Sequence, residues 1–347
     1  LLGDPKLGKP QPLAPFQKFI IGSIYGWVDK DNENIRRFTD IFISMSRKNG
    51  KSLLISGVIL YEFLFGKTPQ FKRQLYTAAN DRKQAGIVFN MVRDRLKALC
   101  RKDDSIRKMV KIKRDEIVNL DDGSIIRSFS RDAGLVDGYE PHVAVVDEYA
   151  NAHTDEMLET LASGQILLPS YLTFVISTAG FDMNVPMHTS MYPYAKKVLS
   201  GDVEADRYFT FIAEQDNLAE VDDPNLWIKS NPLMDMTGQY EQMKNYLTNK
   251  LNQAKEDGTI NRKLVKHFNI WRQATEASYM DSATWENAKS DYPINIDGKK
   301  IWFGVDVGRT SDLFAISWLV PVDDEDNDKQ YWYADNFDFV ATKYGLD

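Results

Sequence analysis

The apolar run from Asp40 to Met45 ends in Ser46-Arg47-Lys48-Asn49-Gly50-Lys51-Ser52, and a second apolar stretch, Leu53 to Phe65, follows at once. Strand, glycine-containing loop and helix in that order constrain a chain strongly. The loop N–H groups and the helix amino terminus then face one point and favour an anion there. Lys51 and Ser52 at the helix start complete the pattern of a phosphate-binding loop, the ammonium neutralising phosphate and the hydroxyl reaching a magnesium ion. Ser46, Arg47, Lys48, Asn49, Gly50, Lys51 and Ser52 are therefore expected to line a nucleotide. Met45 stands where the usual pattern has its first glycine. Read alone, the segment is also a strand, a turn at Gly50 and an exposed basic loop.

Further along, Val143-Ala144-Val145-Val146 runs into Asp147-Glu148. Four apolar residues make a strand buried on both faces, and its carboxyl end is where ligands sit in a parallel sheet. Asp147 is expected to share Mg2+ with Ser52, and Glu148 to orient and deprotonate an attacking water. A strand ending in exposed acids is common by itself; the order of the two motifs, each behind a strand, is what points to ATP hydrolysis. A further strand, Leu172 to Ile176, ends in Ser177-Thr178-Ala179-Gly180. Ser177 and Thr178 are small hydroxyls suited to sensing the terminal phosphate.

Short apolar runs separated by amphipathic stretches continue to about residue 205, with Gln74 to Ala78 as another strand. Ile117 to Leu120 and Ile125 to Phe129 form a hairpin about the Asp-Gly turn. The fold expected is α/β: a P-loop NTPase core with a mostly parallel sheet over residues 1–205. Residues 206–295 are polar with helical periodicity and read as a helical lid or linker. From 296 to 347 a second α/β domain begins, with strands at Lys300 to Val307, Leu313 to Val320 and Gln330 to Val340.

Composition narrows the class. A single cysteine, Cys100, excludes an internal disulfide, and His142, His153, His188 and His267 lack the paired spacing of a zinc site. The Leu53 to Phe65 run is too short to span a bilayer and contains Glu62, so it reads as a buried helix. The first residues have neither the basic start nor the apolar core of a signal peptide, which makes cytoplasm the expected location. A net charge of −7 argues against a protein that coats DNA, though not against one that grips it briefly.

With these segments assembled, the chain resembles the large terminase subunit of tailed bacteriophages. The resemblance runs over essentially the whole chain. It rests on Pro15-Phe16-Gln17, Gly26-Trp27, Arg36-Arg37-Phe38, the loop with Met45 in place of glycine, Tyr76-Thr77-Ala78-Ala79-Asn80 and Gln84-Ala85. To these it adds Gly138-Tyr139-Glu140-Pro141-His142 before Asp147-Glu148-Tyr149, Ser177-Thr178-Ala179-Gly180, and Ser230-Asn231-Pro232.

The resemblance implies an ATP-driven motor that moves double-stranded DNA into a procapsid. Gln17 would contact the adenine. Arg47 would act as an arginine finger, with Arg82 and Arg131 as other candidates. The segment from Ile301 resembles a ribonuclease H-like endonuclease that cuts DNA with two Mg2+ or Mn2+ ions, Asp306 being one ligand and Asp312 a second. Because the chain stops at Asp347, before the strand and helix that furnish the remaining acids, the nuclease is expected to be incomplete. Implied partners are double-stranded DNA, a portal protein, a small terminase subunit and sibling copies in a ring, in the host bacterial cytoplasm and with no membrane. A helicase or restriction-type translocase shares the loop, the acidic pair and the coupling strand. A non-catalytic ATP-binding scaffold is a further reading, against which Glu148 argues because a scaffold needs no water base.

Overall fold

Alternation along β3 (Asp40–Met45) sends Ile41, Ile43 and Met45 to one side and Phe42 to the other, and both sides are buried. The computed structural model describes residues 3–4, 9–10, 12–79, 82–130, 139–273, 296–306, 313–324 and 329–340. A two-residue antiparallel pair, β1 (Gly3–Asp4) with β2 (Lys9–Pro10), precedes the main sheet. That sheet has eight strands in the order β10-β3-β9-β8-β4-β7-β6-β5. They are β3, β4 (Gln74–Ala79), β5 (Val110–Ile112), β6 (Glu116–Asn119), β7 (Ile125–Ser130), β8 (Pro141–Asp147), β9 (Leu172–Ser177) and β10 (Tyr208–Ala213). Every pairing from β10 through β7 is parallel, and β6 and β5 close one edge antiparallel. The mostly parallel α/β sheet is thus the one the sequence leads to.

Helices α1 (Pro15–Gly26), α2 (Lys51–Phe65) and α3 (Arg82–Cys100) cover one face, with Ile20, Ile24, Ile55, Ile59, Val88 and Val92 packed on Ile43, Leu75, Val145 and Phe174. A short helix, α4 (Asp104–Met109), leads into β5, its first turn capped by Asp103. Helices α5 (Glu156–Ser163) and α6 (Tyr192–Ser200) cover the other face through Met157, Leu161 and Ala195 against Phe42, Ala144 and Val175. Each fully buried aliphatic or aromatic side chain here stabilises the fold by about 1.5–3 kcal/mol, so the alternating strands set the layering. The hairpin expected at the Asp-Gly turn is present: β6 pairs antiparallel with β7, Ile117 opposite Ile126, and Gly123 takes a positive φ of 73°.

The stretch expected to be a helical lid opens instead with a strand. β10 adds to the sheet edge beside β3, Tyr208 opposite Asp40 and Ala213 opposite Met45, so the sheet extends past residue 205. Beyond it, α7 (Tyr240–Glu256), α8 (Ile260–Phe268) and several single turns build a small core of their own from Val221, Trp227, Met234, Leu247, Leu251, Leu264 and Phe268.

The chain divides into two compact units, residues 1–278 and 279–347. The second contains β11 (Trp302–Asp306), β12 (Leu313–Asp324) and β13 (Lys329–Val340) in one antiparallel sheet of order β11-β12-β13, the three strands expected there. Trp302 against Trp332 and Trp318 against Phe337 form cross-strand aromatic contacts on it.

Candidate active site

β3 delivers its chain into the loop Ser46–Gly50, and α2 starts at Lys51 with Gly50 as its N-cap. Gly50 takes a left-handed φ of 81°, a conformation glycine adopts freely, and Lys48 takes one of 70°. From the first turn of α2, Lys51 Nζ donates to Met45 O at 2.5 Å, Ser46 O at 3.1 Å and Thr178 Oγ1 at 3.1 Å. Ser52 Oγ donates to Asp147 Oδ2 at 3.1 Å, tying the loop to the acidic end of β8. β9 lies between β3 and β8, so its terminal hydroxyls stand between the two motifs.

Burial pushes the Lys51 ammonium down to about 8, against the pull of Asp147 and Glu148. Burial, reinforced by the charge of Glu148, pushes the Asp147 carboxyl up to about 6 although Ser52 donates to it. Among the described residues neither group has an oppositely charged side chain in ion-pair contact. A buried carboxylate and a half-buried ammonium without counter-charges are costly. A polyphosphate beside Lys51 and a divalent cation between Ser52 and Asp147 are the counter-ions this pair lacks, so the residues fit magnesium-bound ATP.

Glu148 follows β8 in a left-handed conformation, φ 56° and ψ 41°, and heads the turn Tyr149–Asn151. Such backbone is uncommon outside glycine and asparagine and persists where surrounding structure enforces it. Here the enforcement is visible: Glu148 N donates to Ile176 O at 2.9 Å and to Asp147 Oδ1 at 2.8 Å. Its carboxylate accepts from Asn151 Nδ2 at 3.3 Å and from Arg47 at 3.5 Å, so the loop arginine and the acid meet.

The remaining expected residues divide. Thr178 reaches Lys51, whereas Ser177 Oγ accepts from Ala150 N at 3.0 Å and donates to Thr178 O, holding the turn behind Glu148. Gln17 caps α1 by accepting from Ala14 N at 3.0 Å, and its amide nitrogen lies against Gly50, where an added Cβ would sit 3.1 Å away. Lys48 is exposed on the loop. Ser46 and Asn49 are fully buried with their side chains turned to the segment 230–233 and not to the loop's open side. Asn151, Asn231 and Asn269 were not singled out for any role by sequence, although Ser230-Asn231-Pro232 stood in the resemblance. Arg131 and Asp312 lie outside the described residues, as does the side chain of Arg82. Asp306 ends β11, exposed and opposite Ala315. No group of three or more potential metal ligands forms among the described residues.

A parallel sheet in which one strand separates the phosphate-loop strand from the acidic strand defines the class, a P-loop NTPase fold. The chain belongs to the terminase large subunit family: the model of its ATPase domain matches residues 15–197 and that of its endonuclease domain residues 202–337. The second match starts well before residue 296, where the second domain is expected to begin, and by reaching 337 it does not bear out the expectation of an incomplete nuclease. Among curated relatives, the large terminase subunit of Enterobacteria phage HK97 is 25% identical over 92% of this chain and 59% of its own length. Protein YmfN of Escherichia coli (strain K12) is 28% identical over 53% of this chain and 40% of its own. The chain therefore spans about half the length of the curated relatives it matches. The crystal structure of the HK97 bacteriophage large terminase superposes with a TM-score of 0.62 at 22% identity, over 96% of this chain and 64% of that one. No helix among the described residues is long and apolar enough to cross a membrane.

Proposed function

We propose that this chain hydrolyses ATP where Lys51, Ser52, Asp147 and Glu148 meet, and that hydrolysis drives double-stranded DNA into a viral procapsid. The observation that carries this reading is the Ser52–Asp147 contact at 3.1 Å beside a half-buried Lys51 that has no carboxylate in ion-pair contact among the described residues. Bound there, magnesium and ATP supply the anhydride bond to be broken and the charge that Lys51 and Asp147 lack. Lys51 and the loop orient the phosphates, and Ser52 with Asp147 holds the cation. Glu148 accepts the proton of the attacking water, and Arg47, already beside that carboxylate, stabilises charge that develops on the phosphate. Thr178 links the lysine to the end of β9, where loss of the terminal phosphate would be felt.

Glu148→Gln removes the base and keeps the shape. DNA-stimulated ATP turnover should fall by about 10²–10⁴-fold with nucleotide affinity retained. Lys51→Ala should abolish turnover through lost binding. Unchanged turnover in either variant would refute the site, and absence of turnover in the parent chain would favour a scaffold.

The family's endonuclease domain supports a second activity, cleavage of concatemeric DNA, with Asp306 and Asp312 as carboxylates for Mg2+ or Mn2+. It is checked by metal-dependent nicking of plasmid DNA, which Asp306→Asn should remove. A portal, a small subunit and a ring of sibling copies, in the bacterial host cytoplasm, belong to the same reading. Processive displacement of one strand, in place of duplex movement, would identify a helicase.

A further inference from the structure

The loop carries two left-handed residues, Lys48 and Gly50, with Asn49 between them, and Met45 replaces the glycine that would ease its entry. A lysine in that conformation is strained and is kept there only by what surrounds it. The loop residues on either side of it are held by the segment that follows β10. Asn49 Oδ1 accepts from Leu233 N at 3.1 Å, and Asn49 Nδ2 donates to Asn231 Oδ1 at 3.1 Å. The single proton of Ser46 Oγ is shared between Ser230 O at 2.7 Å and Asn231 Oδ1 at 2.6 Å. Even the loop backbone takes part, Arg47 N donating to Lys266 O at 2.8 Å.

Asn231 is in turn fixed on its own side. Its Nδ2 donates to His267 O at 2.9 Å and to Trp227 O at 3.2 Å, binding it into the small core built from α7, α8 and the turns before them. Ser46, Asn49 and Asn231 are all at or below 1% exposure, so water cannot replace any of these bonds. Neither Ser46 nor Asn49 has a side-chain group left to offer a nucleotide.

Resting on the ATP reading, we infer that Asn231 is a positioning residue for the nucleotide site. Through Asn49 and Ser46 it holds the strained loop in its anion-receiving shape, and so makes nucleotide affinity depend on the helical segment packed behind it. Asn49 is a bridge in this arrangement and not a nucleotide contact.

The test is a double-mutant cycle on the full chain with Asn231→Ala and Asn49→Ala, read by equilibrium binding of a fluorescent ADP with Mg2+ and by thermal unfolding. Each substitution should weaken ADP at least about tenfold, a change of ~1.4 kcal/mol. The double variant should be no weaker than the worse single one, because both cut the same link. Unchanged affinity with a lowered melting temperature would overturn the inference and leave the pair a packing contact; fully additive losses would overturn it too. If Asn231→Ala does not fold, Asn49→Ala alone decides, since it leaves the Asn231 bonds to Trp227 and His267 in place. Failure of the parent chain to bind ADP or ATP would instead sink the nucleotide reading, and that is seen before any variant is made.

Discussion

Among the described residues the most buried acid is Glu62, 0% exposed on α2, and three donors explain how a carboxylate survives there. Tyr25 Oη and an Arg36 guanidinium nitrogen each donate at 2.7 Å, and His142 Nε2 lies at 3.0 Å. Burial alone would raise its pKa; the His142 bond and the Arg36 charge outweigh it and hold Glu62 below its usual value. Burial lowers the pKa of His142, whose Nδ1 has no partner among the described residues, so a second ring proton would be stranded. Glu62→Ala leaves Arg36 unpaired in a mostly buried site and should cost about 3–5 kcal/mol in urea unfolding. Both groups take up protons less readily folded than unfolded, so the stability these two contribute rises with pH. The His142 share is lost as pH falls from about 6.5 toward its depressed folded value, and the Glu62 share only below about 4.3. Urea midpoints at pH 7.5 and 5.5 check this: the parent should lose stability on acidification and His142→Gln should lose less. Equal losses in the parent and in His142→Gln would contradict the neutral, buried imidazole.

At the scale of elements, the hairpin is legible through its Asp-Gly turn, and the central strands of the main sheet through burial on both faces. β3, β4, β8 and β9 announce themselves because continuous apolar runs have few other uses. β10 did not, although Tyr208–Ala213 is apolar enough. It is an edge strand, only half-buried along its length, and what makes it a strand is pairing with β3 from far upstream. The same limit governs the site. Lys51, Ser52, Asp147 and Glu148 were legible because their roles follow from where they stand on strand ends. The directions of Ser46 and Asn49 were not, since Asn231 and Leu233, which capture them, come from far along the chain. Close approach also leaves a mark that sequence hides: a Cβ on Gly164, at the C-cap of α5, would meet Tyr139 O at 2.1 Å and Pro141 Cδ at 2.9 Å. Gly164→Ala must therefore push α5 off the start of β8. The expected loss is about 1–3 kcal/mol by chemical denaturation. An Ala variant as stable as the parent would mean that the helix gives way freely.

For the molecule as a whole, the apolar clusters separate cleanly along the chain. All three buried cores, those on the two faces of the main sheet and that of the helical segment, are built from residues before the boundary at Ser278. The groups proposed to bind and hydrolyse ATP lie on the same side of it. A unit of that size buries enough surface to be stable by itself. A chain ending at Ser278 should consequently unfold in one cooperative transition and keep its nucleotide affinity. Saturating it with ADP at a hundred times the dissociation constant should stabilise it by about 2.7 kcal/mol, as mass action requires of any ligand bound only by the folded state. Calorimetry with and without ADP and Mg2+ measures both quantities at once. A shortened chain that melts without cooperativity would show that residues 1–278 do not fold as a unit by themselves; one that folds but gains nothing from ADP would count against the nucleotide site placed within it.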